Sequence, residues 1–165
     1  MSGAPSAGRA RTQSSVLIPR GSISLTLSQP HDPATFYQTR DGLFVYDDYT
    51  NRIASKARPV PAGTVYQLAF AELSEEATDK QIERSLPKNY LFDEGAVCAI
   101  VAELIGKQQR GELGNLEHTG KANLLYAASC VVVVRWSAGY RGWNVFAWRR
   151  GGSRWHAGPR VLSPA

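Results

Sequence analysis

The sequence has no apolar run approaching the ~20 residues that a membrane-spanning helix needs, so no membrane segment is expected. Its early apolar stretch, Val16-Leu17-Ile18, is too short for a secretory core and is stopped by Pro19. Cysteine is almost absent. Cys98 and Cys130 make neither a disulfide framework nor a four-cysteine metal site, and two free thiols suit a reducing cytoplasm. The three histidines, His31, His118 and His156, form no close pair and stand at no zinc spacing from a cysteine. Neither a metal nor an organic cofactor is therefore expected. A phosphate loop is missing as well. The stretch ending Gly120-Lys121 would need glycine where Asn115 stands and a hydroxyl where Ala122 stands.

Acidic residues are missing from both ends. All fourteen Asp and Glu lie between Asp32 and Glu117, against nine Lys and Arg in residues 31–120. Residues 1–30 hold three arginines, and residues 121–165 hold Lys121 and six arginines. Basic ends thus flank an acidic middle within a net charge of +5. Such asymmetry either attracts anionic partners or lets the ends fold onto the middle.

What is present reads as a globular protein of 165 residues, 43% apolar and 20% charged. Residues 1–21 read as a flexible, Gly/Ala/Ser-rich arm with no hydrophobic period. An acid-free start with Arg and Ser also allows organellar import, as a minor alternative to a cytoplasmic location. Residues 22–165 read as one domain. Strict alternation predicts a strand over 22–28, with Ile23, Leu25 and Leu27 on one face. Further strands are expected at 42–46, 52–58 and 64–73, with a turn at Asp47-Asp48-Tyr49-Thr50-Asn51.

The period then changes. Thr78 and Gln81 have capping-box spacing and open a helix that ends near Pro87. Asp93 caps a longer helix to about Gln109, with Gly111 beyond its end. Val97, Ile100, Val101, Leu104 and Ile105 give it an apolar stripe. Strand character returns at 130–136, 143–150 and 154–162. The order strands, helices, strands predicts an α+β fold: a mostly antiparallel sheet of N-terminal strands and a C-terminal three-strand meander, with two helices packed on one face.

That C-terminal region carries the functional expectation. Residues 130–158 hold all four tryptophans, five arginines and no acid. Alternation sends Trp143 and Arg149 to one face of their strand, and Phe146, Trp148 and Arg150 to the other. Helices on one side would leave the second face to other chain segments, a partner or a ligand. The candidate binding residues are Arg135, Arg141, Trp143, Trp148, Arg149, Arg150, Arg154 and Trp155. The leading expectation is a non-enzymatic interaction or accessory protein that contacts a protein partner or a second copy of itself. Single-stranded nucleic acid on the same surface is the alternative, since arginine and aromatic rings on a sheet suit phosphates and bases. The plainer reading makes the tryptophans core and the arginines solvated hairpin ends. An enzyme joining His118 to a cysteine or carboxylate is a third possibility. Cys98, on the edge of the helical stripe, and Cys130, opening a buried strand, read as core residues.

Overall fold

A computed structural model describes residues 15–112 and 115–165. The elements in order are β1 (Leu17–Thr26), α1 (Pro33–Phe36), β2 (Leu43–Val45), α2 (Asp47–Arg52), a 3-10 turn (Ala54–Lys56), β3 (Val65–Leu73), β4 (Ala77–Thr78), α3 (Asp79–Ser85), α4 (Glu94–Gln109), β5 (Ala122–Tyr126), β6 (Cys130–Ser137), β7 (Gly142–Arg149), β8 (Arg154–Trp155) and β9 (Arg160–Pro164). Seven strands form one sheet in the order β1-β3-β9-β5-β6-β7-β2. Its pairs are antiparallel except β5 with β9 and β7 with β2. The fold is α+β, as expected.

Both helix starts read from the sequence are built as capping chemistry requires. Thr78 and Gln81 exchange side-chain and backbone bonds in a full capping box, and the Asp93 carboxylate accepts from Ala96 N at 2.7 Å. Helix α4 buries Val97, Ile100, Val101, Leu104 and Ile105 completely. They meet Leu68 of β3, Leu162 of β9, Leu125 of β5 and Val132 and Val134 of β6 in the larger core. Fully burying each such side chain contributes about 1.5–3 kcal/mol.

The two main helices do not share a face. The alternate residues Val131 and Val133, with Leu124, Tyr126 and Phe146, form a second core with Ile82 of α3 and Trp155 of β8. Helical period fixes the width of an apolar stripe but not the side of the sheet that receives it. The fate of the second face is thus answered in part: α3, the small β4–β8 pair and Val16-Leu17 cover one end of it.

Three other expectations are corrected. The C-terminal region is not a three-strand meander. β6 and β7 form a hairpin, β8 leaves the sheet to pair with β4, and β9 inserts between β3 and β5. The stretch 154–162 is broken by Gly158, whose φ of +115° favours glycine, and by Pro159. Residues 47–56 are helical rather than turn and strand, because Tyr49 and Ile53, four residues apart, are both wholly buried. Finally, β1 begins at Leu17, inside the stretch read as an arm, since Leu17 pairs with Leu73 and is buried with Val16. Residues 1–14 of that arm lie outside the described residues.

Candidate functional site

Two features stand out, one on each face of the β6–β7 hairpin. On the second face, beyond the cover of α3, aromatic rings run in sequence across the sheet edge. Phe44 meets Tyr46 at 4.7 Å between centroids, Tyr46 meets Phe146 at 5.4 Å, and Phe146 meets Trp148 at 5.0 Å. Trp148 stacks on Trp155 at 5.2 Å and 17°. Phe44, Tyr46 and Trp148 remain 48%, 43% and 39% exposed. With side chains of 150–250 Å², they show on the order of 250–300 Å² of ring surface. That approaches the ~300–600 Å² of the largest apolar patch on a typical monomer.

The strip lies beside a sheet edge that is closed. Leu43 N–H and C=O of β2 both pair with Arg40, at 3.0 and 2.9 Å. Val45 N–H donates to Thr39 Oγ1 at 3.1 Å, and Thr39 Oγ1 donates back to Val45 C=O. A further strand would find these groups taken. Contact at this place must therefore use the rings themselves.

Around the strip, charge is largely spent inside the chain. Arg150 Nε lies 2.9 Å from Glu83, and its Nη1 donates to the carbonyls of Ala127 and Ala128. Arg154 pairs with Glu76 at 3.3 Å. Trp155 is buried and donates to Asp79. Asp79 is itself fully buried and accepts four bonds, from Tyr126 Oη, Trp155 Nε1, and the N–H groups of Gly151 and Ser153. Burial beside that carboxylate holds the Tyr126 hydroxyl well above its ordinary pKa. Arg150, Arg154 and Trp155 are thus fastened into the cover of the second face. Arg135, Arg141 and Arg149 have no carboxylate within 4.0 Å among the described residues. Arg135 is half-buried with Nε unpartnered, and Arg149 is exposed at the end of β7.

The second feature is a cleft of about 450 Å³ on the α4 side, at the turn end of the hairpin. It is lined by Gly42, Gln108, Gln109, His118, Trp136, Arg141 and Trp143. Trp136 and Trp143 face each other across the hairpin, edge to face at 5.4 Å. Arg141 sits in the tight turn at φ +51°. At Gly142 a Cβ would come within 2.9 Å of the Gly42 backbone, so only glycine lets the two segments meet. Buried Asn123 positions the loop that carries His118: its side chain accepts from Glu117 N at 2.7 Å and donates to Glu117 O and Val134 O. Gln108 donates to Leu116 O, while its Oε1 is buried without a donor. An acceptor left so costs about 1–3 kcal/mol.

The eight candidate residues are therefore divided. Trp148 and Trp155 stack together, Arg141 and Trp143 line the cleft, and the other four arginines are scattered. Phe44 and Tyr46 were overlooked, although alternation in 42–46 already separates them from Leu43 and Val45. Gln108 and Gln109, polar residues ending an apolar helix, were overlooked too. The thiols take no part in either feature. Burial pushes the Cys98 thiol up to about 12, against the opposing bond with Tyr49 Oη, and raises that of Cys130. Among the described residues no carboxylate lies within 4.0 Å of His118, no His/Cys/Asp/Glu group suits a metal, and no helix is long and apolar enough to cross a membrane.

No family model, curated protein or solved structure matches this chain.

Proposed function

We propose that the chain is a non-enzymatic binding protein whose contact surface for a protein partner is the strip Phe44, Tyr46, Phe146 and Trp148. The observation that carries this reading is the half-exposure of Phe44, Tyr46 and Trp148, linked through the buried Phe146 ring, beside a sheet edge whose backbone is closed. Rings already held by neighbours lose little side-chain freedom on contact, which favours them as anchors. A protein is favoured over nucleic acid because Arg150 and Arg154 are paired with Glu83 and Glu76, and Asp47-Asp48 directly follows Tyr46.

The test is selection of a random-peptide display library on the wild-type chain, followed by rebinding to variants. Phe44→Ser and Trp148→Ser should each weaken the selected peptides at least about tenfold, with the melting temperature held near wild type. Arg20→Ala, on the far edge, should leave them unchanged. Peptides that ignore both ring substitutions overturn the reading. Salt-steep binding of single-stranded oligonucleotides that requires Trp148 would transfer the strip to nucleic acid.

A further inference from the structure

We propose that the cleft between the end of α4 and the β6–β7 turn binds a nucleoside phosphate with an amino-bearing base, either free or as one unit of a single strand. The inference stands apart from the ring strip, for the cleft opens on the opposite face of the hairpin. Its volume of about 450 Å³ falls within the ~300–1,000 Å³ usual for small-molecule sites.

The lining narrows the occupant. Among the described residues no acid lines the cleft, so an organic cation would lack a counter-charge. A purely aliphatic molecule would strip water from two amides, an imidazole and a guanidinium without replacing their bonds. Trp136, half-buried at the mouth, offers ring surface on which a planar heterocycle can stack. Gln109 carries the adjacent acceptor and donor that match the edge of an amino-substituted base. Gln108 adds a second amide to the same wall. Arg141, exposed and unpaired with any described carboxylate, stands at the rim to receive the phosphate, and His118 flanks the same cleft. The Asn123 clamp and the Gly42–Gly142 contact hold the walls in place before a ligand arrives.

The experiment titrates the full chain with AMP, CMP, UMP, adenosine and a short single-stranded oligonucleotide, followed by tryptophan fluorescence and calorimetry. AMP and CMP should bind saturably in the micromolar to millimolar range, UMP more weakly, and adenosine about tenfold more weakly than AMP. Arg141→Gly, which keeps the turn conformation, should erase the difference between AMP and adenosine. Gln109→Leu should weaken AMP and adenosine alike. Tighter binding of the oligonucleotide with the same variant pattern assigns the site to a strand; tighter binding of AMP assigns it to the free nucleotide. Absence of saturable binding by every probe overturns the proposal. So does binding that survives both substitutions, or that depends on Trp148 instead. Unchanged melting temperatures and unchanged peptide capture by the ring strip separate these outcomes from misfolding and from failure of the preceding reading.

Discussion

The two faces of the central sheet are covered by different means. One lies mainly under the sixteen-residue helix α4, whose inward side is entirely aliphatic or small, with Tyr37, Tyr49 and Ile53 packed beside it. The other lies under fragments: a seven-residue helix, a two-residue strand pair and a short stretch before β1. The first cover holds by area, since every turn of α4 adds apolar contact. The second is too small to hold so. It is pinned by a buried carboxylate with four donors and by Arg150, which ties Glu83 to the β5–β6 turn. Polar pins act at points, and beyond the last of them the rings of β7 and β2 are left half in water.

The difference should be sharpest when one fastening is removed from each face. Asp79→Ala leaves a hydroxyl, an indole N–H and two backbone N–H groups without their acceptor. At about 1–3 kcal/mol per stranded group, the loss should be at least about 4 kcal/mol. Leu104→Ala, on the helical face, should cost about 2–5 kcal/mol from lost transfer energy and a cavity. Urea denaturation checks both values. Limited proteolysis checks where they act: Asp79→Ala should open residues 150–158 while α4 stays protected, whereas Leu104→Ala should loosen the whole fold together. A loss below about 1 kcal/mol at Asp79 would mean that the second face does not depend on its polar pin.

The charge pattern of the sequence resolves along the same line. Three of the four ion pairs among the described residues, Arg20–Glu72, Arg150–Glu83 and Arg154–Glu76, join a basic end to the acidic middle. Adjacent arginines then have different weights. Arg150→Ala, which breaks a half-buried pair and two carbonyl bonds, should cost about 1–3 kcal/mol. Arg149→Ala, exposed and bonded to none of the described groups, should stay within about 0.5 kcal/mol. Equal effects of the two on the urea midpoint would erase the distinction between latch and surface.

How much of this was legible in the sequence follows from what a linear pattern encodes. Alternation in 22–28 gave a strand and its inward residues, and Leu25 and Leu27 are indeed buried. Thr78, Asp93 and Gly111 gave the limits of α3 and α4, because capping is a local matter. The side of the sheet taken by α3 is decided by how far the chain travels between β4 and α4, and no residue pattern encodes that distance. The break in 154–162 was visible as Gly158-Pro159, yet its result, a strand carried across to lie between β3 and β5, depends on partners more than 30 residues away. The binding features suffered similarly. The C-terminal half of the ring strip was legible as a tryptophan-rich strand, but Phe44 and Tyr46 join it through a parallel pairing a hundred residues distant. The cleft gathers α4, the Asn123-held loop and the β6–β7 turn, which only the folded chain brings together.

The smallest expected effect belongs to the helical face and concerns pH. His31 is buried beside Phe36 and Tyr37, with Nε2 unpartnered. Burial lowers its pKa below the ordinary 6.5, and the charges of Asp32 and Glu103 oppose that without reversing it. The unfolded chain, with the ordinary value, binds the proton first as pH falls. Stability should therefore decline on acidification through about 6.5 and level off, for this group, once pH is below the folded-state value. His31→Phe keeps an aromatic ring in the Phe36–Tyr37 cluster and removes the titration, so its urea midpoint should fall less between pH 7.5 and pH 5.5, values on either side of the ~6.5 reference. A wild-type midpoint that rises over that interval, or one that falls equally in the variant, would show that the His31 ring takes up its proton inside the folded chain as readily as outside it. The cover of the helical face would then admit water where the buried, unpartnered nitrogen implies that it does not.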